Sequence, residues 1–211
     1  MQHWITLFEE QIMETTWLQW AAVLLGVAEV LFARVNNIWL YPTGIAGILI
    51  SIYLLLTVQL YAESVLNLYY LVMSFYGWIY WVKRKNEPPV KISWCNPREW
   101  VISLSITFAG WLVLYLLLKN FTPSNVPVWD AWVSSTAWAG MWLLARRKIE
   151  NWIFLNVSNL FAIPLLFYKG LPMFAVLTLF LFVVAFWGFF EWKNILKKEK
   201  SIVSAHPVIS A

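Results

Sequence analysis

Asn67, Tyr70, Ser74, Trp78 and Trp81 follow one another at spacings of three, four, four and three residues, which places an amide, a phenol, a hydroxyl and two indoles on one face of a helix. Such a stripe is costly against an apolar surrounding and sensible along a polar pathway. The packing alternative is that Ser and Asn hydrogen-bond across to neighbouring helices. Further along, Asn156 and Asn159 stand one turn apart with Ser158 between them. Two amides there read as a hydrogen-bonding face for sugar hydroxyls or a carboxamide, again with interhelical packing as the alternative. Trp187 and Trp192 fall in a segment that parallels the one holding Trp78 and Trp81. Facing aromatic walls of this kind stack on a flat cationic ring, a contact worth ~2 kcal/mol or more when desolvated. The tendency of indoles to gather at membrane interfaces accounts for the same residues in part.

Catalytic and metal chemistry fail on inventory. One cysteine, Cys95, and two histidines, His3 and His206, fall into no zinc or haem spacing. There is no HExxH, GxSxG, P-loop or GxGxxG pattern, so the expectation is a non-enzyme with no catalytic residue, cofactor or metal. The net charge of +4 comes from short basic clusters between apolar stretches, not from a continuous basic face, which excludes nucleic acid as the expected partner. Glu29 is the only acid well inside an apolar span, and such residues are functional by default. Arg34 lies about one turn away, and a local Glu29–Arg34 pair is the expected explanation; Asp130 and Glu191 sit near helix ends. Without a chain of buried acids and histidines to relay protons, facilitated diffusion is favoured over ion coupling.

The elements that must position these residues follow from composition. Of 211 residues, 61% are hydrophobic and 12% charged, a charged share roughly half that of a soluble domain. Fifteen basic and eleven acidic residues are too few to clothe a water-soluble surface, so the bilayer is the expected solvent. Charge-poor runs long enough to cross it, ~20 residues each, predict seven helices: Trp17 to Ala33, Ile38 to Thr57, Tyr61 to Val82, Arg98 to Leu118, Pro127 to Ala145, Trp152 to Tyr168 and Leu171 to Trp192. The fifth opens at Pro127, which suits a first helical turn, but it is diluted by Asp130, Ser134, Ser135 and Thr136. Pro42, Gly44 and Pro164 mark places for kinks or hinges. Trp17, Trp20, Trp100, Trp129 and Trp152 sit at span ends and read as interface anchors.

Residues 1–16 form a leader without the basic start of a cleavable signal. Ile5, Phe8 and Ile12 recur at helical spacing, so it reads as an interfacial amphipathic helix or as a frayed tail. Lys119 and Lys169 fall on the N-terminal side of the spans and the other thirteen basic residues on the opposite side. By the positive-inside rule the N-terminus is outside and the C-terminus cytoplasmic.

Ser74-Phe75-Tyr76-Gly77-Trp78-Ile79-Tyr80-Trp81 matches Ala185-Phe186-Trp187-Gly188-Phe189-Phe190-Glu191-Trp192 in kind at five positions with a constant offset of 111. Ala33-Arg34 and Ala145-Arg146 match at a nearby offset. The chain thus reads as all-α: a three-helix unit (17–82), a loop, linker helix and outer loop (83–126), a second three-helix unit (127–192) and a tail (193–211). An odd linker helix makes the two units parallel, one of the two standard transporter plans, with substrate held near the midplane where they meet.

The order Asn36-Asn37-Ile38-Trp39-Leu40-Tyr41-Pro42-Thr43-Gly44, Leu60-Tyr61-Ala62-Glu63, Asn67-Leu68-Tyr69-Tyr70 and Tyr76-Gly77-Trp78-Ile79-Tyr80-Trp81 resembles the PnuC family of bacterial vitamin transporters. The likeness continues through Ser93-Trp94-Cys95-Asn96 and Ala145-Arg146-Arg147 and covers about residues 17–192. The resemblance implies uptake of nicotinamide riboside across the inner membrane by facilitated diffusion. It further implies trapping by a cytoplasmic kinase that feeds NAD synthesis, and a three-plus-one-plus-three arrangement related to the sugar-carrying SWEET proteins. It places the family's Trp-x-x-Trp pair on Trp78 and Trp81; the second unit departs, with Phe189 where Trp78 has its equivalent. Thiamine, carried by other members, is the alternative substrate, since both vitamins present a flat cationic heteroaromatic ring. A non-transporting membrane scaffold or sensor is the reading from a different class. The lipid-facing surface is compatible with a monomer or a homo-oligomer.

Overall fold

The computed structural model describes residues 2–57, 61–82 and 91–205. Leu60, Lys83, Arg84 and Lys85 among the sequence-derived features, and His206, lie outside the described residues. Eight helices follow in order: α1 Gln2–Glu14, α2 Trp17–Arg34, α3 Leu40–Thr57, α4 Tyr61–Val82, α5 Pro97–Phe121, α6 Pro127–Ala145, α7 Asn151–Tyr168 and α8 Pro172–Ala205. Seven of them begin within a few residues of the charge-poor runs, and the leader is the additional helix α1. Helix α8 runs on past Trp192 to Ala205, so the segment expected as a tail starts as helix. The reason is local: residues 193–205 hold no Gly or Pro, and Ile195 and Leu196 pack against the core.

Helix ends obey local chemistry. Thr16 accepts a hydrogen bond from the Gln19 amide at 3.3 Å while Gln19 Oε1 accepts from the Thr16 amide at 2.7 Å, a reciprocal capping box that opens α2. Asn96 and Glu99 repeat the device at α5, followed by Pro97 at its first position. Helices α2 and α6 stop in the same way. Asn36 and Arg147, 111 residues apart, both adopt φ 55°. Their amides reach Ala33 O (3.0 Å) and Leu144 O (2.9 Å), and the next amides, of Asn37 and Lys148, reach Phe32 O and Leu143 O at 2.9 Å. Each is a Schellman stop with a non-glycine residue in the left-handed region, a conformation that costs ~1–2 kcal/mol for an L-residue. Gly170 (φ 71°) supplies the same stop after α7 without that cost.

Neighbour relations among the helices close a ring. α2 packs on α3, α3 on α4, α4 on α6, α6 on α7, α7 on α8 and α8 back on α2, with α5 outside against α6 and α1 against α8. Among the described residues no pair of helices packs across the ring. Five helices are long and apolar enough to cross a membrane: α2, α3, α5, α7 and the Pro172–Glu199 part of α8. Helices α4 and α6 fall short because of their polar side chains, and these point into protein: Ser74, Ser135 and Thr136 are at most 2% exposed. Trp17 and Trp129, by contrast, are exposed, as interface anchors would be.

At the N-terminal end of the ring, Gln11 of α1 donates to Gly170 O at 2.7 Å and accepts from the Met173 amide at 3.2 Å. The leader is thereby tied to the start of α8. Asp130, in the first turn of α6, accepts from Lys169 Nζ at 2.6 Å and from Ser124 Oγ at 2.6 Å. Because the lysine side chain is a third exposed, Lys169→Met is expected to lower stability by less than ~1 kcal/mol, measured as a thermal midpoint in detergent; a larger loss would mean the pair organises the α6 start.

Candidate functional site

The ring is sealed at its basic end. Trp192 of α8 donates its indole N–H to Ala33 O of α2 at 2.9 Å, and Trp81 of α4 donates to Ala145 O of α6 at 3.1 Å. Each final tryptophan therefore reaches the final turn of the neighbouring helix across a junction of the ring. Behind them, Tyr41 meets Trp81 edge-on at 5.1 Å and Trp152 meets Trp192 edge-on at 5.7 Å. Gly77 and Gly188 admit these rings: a Cβ would lie 2.5 Å from Tyr41 Oη and 2.6 Å from Trp152 Cζ2, respectively. The whole group, with Leu40, Ile92, Leu144 and Ile149, is buried as one core.

Charge surrounds this seal. The Arg147 guanidinium sits over the Trp81 ring, its Cζ 3.3 Å from the centroid; burial pushes its pKa down to about 10, which still leaves it charged at neutral pH. Buried Glu99 pairs with Lys148 at 2.9 Å and Arg146 at 3.5 Å. Residues 91–96 run alongside the α6–α7 turn, where Ser93 and Lys148 bridge and Cys95 N–H donates to Glu150 Oε1 at 2.8 Å. Burial and the neighbouring Glu150 push the Cys95 thiol up, which keeps it protonated and a poor nucleophile.

Above the seal is a cavity of about 220 Å³ to which all six ring helices contribute. Glu29 and Val30 come from α2, Ile48 from α3, Tyr70 from α4, Met141 from α6, Trp152 and Asn159 from α7, and Leu181 from α8. At that volume it has room for one small ligand and lies below the range of drug-sized pockets. Glu29, Val30 and Leu181 also line a second space of about 690 Å³ that widens toward the N-terminal end between α1, α2, α3, α4 and α8. The two spaces share the wall formed by Glu29, Val30 and Leu181, the wider one toward the N-terminal end and the smaller one next to the basic-end core.

The sequence-derived residues distribute along these spaces and the core below them. Asn67 lines the wide vestibule and Tyr70 the central cavity. Ser74 is buried below with no hydrogen-bond partner for Oγ among the described residues, Trp78 packs on the core, and Trp81 is part of the seal. Asn159 faces the central cavity; Asn156 instead lines a separate groove of about 310 Å³ between α7 and α8 with Phe182, Phe186, Phe189 and Phe190. Trp192 is fully buried and bonded to Ala33, whereas Trp187 is 57% exposed, with the Arg34 guanidinium 5.7 Å from its ring. The indoles at 81 and 192 therefore close the ring in this structure, and neither they nor Trp187 line the cavity.

Two residues depart from expectation. Trp152, read as an interface anchor, is 1% exposed and forms cavity wall; its buried indole N–H has no acceptor among the described residues. Glu29 does not pair with Arg34. That arginine turns to Glu191 of α8 at 3.5 Å, and Glu29 lies on the wall the two spaces share, its carboxylate seated over Gly44, where a Cβ would be 2.5 Å from Cδ.

Apolar helices ringed about a central cavity are the architecture of a multi-pass membrane protein. Residues 16–194 match the family model described as nicotinamide mononucleotide transporter, and the chain belongs to this family, the PnuC transporters. The nicotinamide riboside transporter PnuC of Escherichia coli is 20% identical over 219 residues, covering 92% of both chains. Its namesake from Neisseria mucosa is 24% identical over 198 residues, covering 87% of this chain and 74% of that one. In fold, the chain is similar to a crystal structure of the vitamin B3 transporter PnuC, with TM-score 0.70 and 23% identity over 93% of this chain and 89% of that one.

Proposed function

We propose that this protein imports nicotinamide riboside across the bacterial inner membrane by facilitated diffusion, with the N-terminal end of the ring outside and the basic end cytoplasmic. The observation that carries the reading is the cavity shared by all six ring helices, in which a phenol (Tyr70), an amide (Asn159) and an indole (Trp152) converge. An amide and a phenol serve a carboxamide and ribose hydroxyls, and an indole face serves a flat cationic ring. The names of the similar proteins from E. coli and N. mucosa point the same way. Phosphorylation by a cytoplasmic kinase would trap the product and feed NAD synthesis. Thiamine, with the same ring character, is the second candidate.

Seven crossings in two parallel three-helix units joined by α5 belong to the same proposal. Support comes from the equivalent stops at Asn36 and Arg147, the equivalent glycines at 77 and 188, and the reciprocal contacts of α4 with α6 and α8 with α2. The units order their helices consecutively round the ring. In this scheme Asn67 receives substrate in the vestibule, Tyr70 and Asn159 hold it, and Ser74, Trp78, Trp81, Asn156, Trp187 and Trp192 meet it, if at all, only after the basic end opens.

Proteoliposomes loaded with unlabelled vitamin should exchange labelled nicotinamide riboside, and Asn159→Ala should weaken binding ~10- to 100-fold, the ~1–3 kcal/mol of a polar partner left unpaired. Folded protein that moves neither nicotinamide riboside nor thiamine faster than empty vesicles would leave the scaffold reading in its place.

A further inference from the structure

We infer that Glu29 is the counter-charge for a cationic substrate and sets the charge selectivity of the path. This rests on the transport reading above and adds to it the group that reads charge. Three observations carry it. The first is position: Glu29 lines both the vestibule and the central cavity, so a solute passing from one to the other passes its carboxylate. The second is the lack of an internal partner. Among the described residues Glu29 makes no hydrogen bond or ion pair, and the nearby cations are occupied elsewhere, Arg34 with Glu191 at 3.5 Å and Arg147 over Trp81 at 3.3 Å. An ionised carboxylate left alone in an apolar ring is expensive and is relieved either by taking up a proton or by a cation bound beside it; the second is the role inferred here.

The third observation is the sign of the whole approach. Among the described residues, the charged side chains lining the vestibule are Glu14 and Glu29, the one lining the central cavity is Glu29, and neither space is lined by a basic residue. A cleft walled by apolar side chains concentrates the field of its few charges, so this path attracts cations and opposes anions. The neighbouring neutral groups, Tyr70, Asn159 and Trp152, supply hydrogen bonds and a ring face but no charge. Gly44 completes the seat, because any larger residue there would meet the carboxylate and push it from its place.

The test uses a pair of ligands alike in shape and different in charge: nicotinamide riboside, a pyridinium cation, and its neutral dihydro form. In proteoliposomes, Glu29→Gln should lower kcat/KM for the cation by tenfold or more while leaving the neutral form within about twofold, the loss of a charge-assisted contact. Glu29→Asp should keep the preference for the cation. Equal loss on both ligands, or no loss on either, would overturn the inference. So would uptake driven by a pH gradient in the wild type and lost in the Gln variant, since Glu29 would then carry a proton. If the wild type moves neither vitamin, the substrate reading fails separately. 1-Methylnicotinamide, a pyridinium cation, against its neutral parent nicotinamide then decides the charge question: a cation preference abolished by Glu29→Gln upholds it, and an equal response to both overturns it.

Discussion

Truncating Trp192 to alanine is expected to destabilise the folded protein by ~3–5 kcal/mol, the cost of removing a buried indole from a packed core. Few side chains here are so enclosed: Trp192 is 0% exposed, meets Trp152 edge-on at 5.7 Å and bonds to the last turn of α2 at 2.9 Å. The conservative replacement separates packing from hydrogen bonding. Trp192→Phe keeps most of the ring and removes the donor, and because Ala33 O also accepts from the Asn36 amide at 3.0 Å, the carbonyl is not orphaned. That variant should lose only ~1 kcal/mol. Trp81→Phe should cost more, ~1–3 kcal/mol, since Trp81 bonds Ala145 O at 3.1 Å and no other backbone donor reaches that buried carbonyl among the described residues. Thermal unfolding in detergent, followed by far-ultraviolet circular dichroism, reads all three. An alanine variant as stable as the phenylalanine one would mean that the basic end is not sealed by these indoles.

How far the sequence foretold this arrangement depends on what kind of signal each part left. Helices were legible because hydrocarbon admits few charges, so charge-poor runs and the basic residues between them mark spans and turns. Stops were harder to see. Asn36 and Arg147 take the left-handed conformation usually left to glycine, and nothing in an Arg-Arg-Lys run announces it. The offset of 111 between Gly77 and Gly188 was readable as a pattern, but its cause was not: each glycine makes room for one ring, Tyr41 or Trp152, on the next helix. Such a contact exists only once two helices are packed.

The candidate site was legible in part for a geometric reason. Residues five apart on a helix point about 140° from each other, so the Glu29–Arg34 pair expected from proximity was unavailable. Arg34 faces α8 and Glu29 faces the cavity. The same angle separates Trp187, on the outer surface, from Trp192, in the core. Spacing of three, four, four and three kept Asn67 to Trp81 on one face, and that stripe does descend from vestibule through cavity to seal. What spacing could not give is depth. Trp152 looked like an anchor because it opens a helix, yet α7 begins inside the basic-end core and not at a lipid interface.

Adding one methyl group at Gly188 should be nearly as damaging as larger truncations elsewhere. In Gly188→Ala the new Cβ would lie 2.6 to 2.7 Å from three atoms of the Trp152 ring. A flexible side chain would swing away, but Trp152 is 1% exposed and backed by Trp192, so either α8 or the cavity wall must shift. Overpacking of this kind costs ~1–3 kcal/mol and sometimes more. Gly77→Ala meets Tyr41 at 2.5 Å and should lose a similar amount. Gly26→Ala is the control: nothing lies within 4 Å of its Cβ position, and the gain in helix propensity should stabilise α2 by ~0.5–1 kcal/mol. The strain at 188 also predicts its own rescue. Trp152→Phe, which removes the ring atoms nearest the new methyl, should cost less in the Gly188→Ala background than alone, and a double-mutant cycle should return that difference as a coupling of ~1 kcal/mol or more. Strict additivity would show that the two residues do not press on each other, and that Gly188 is needed for the backbone alone.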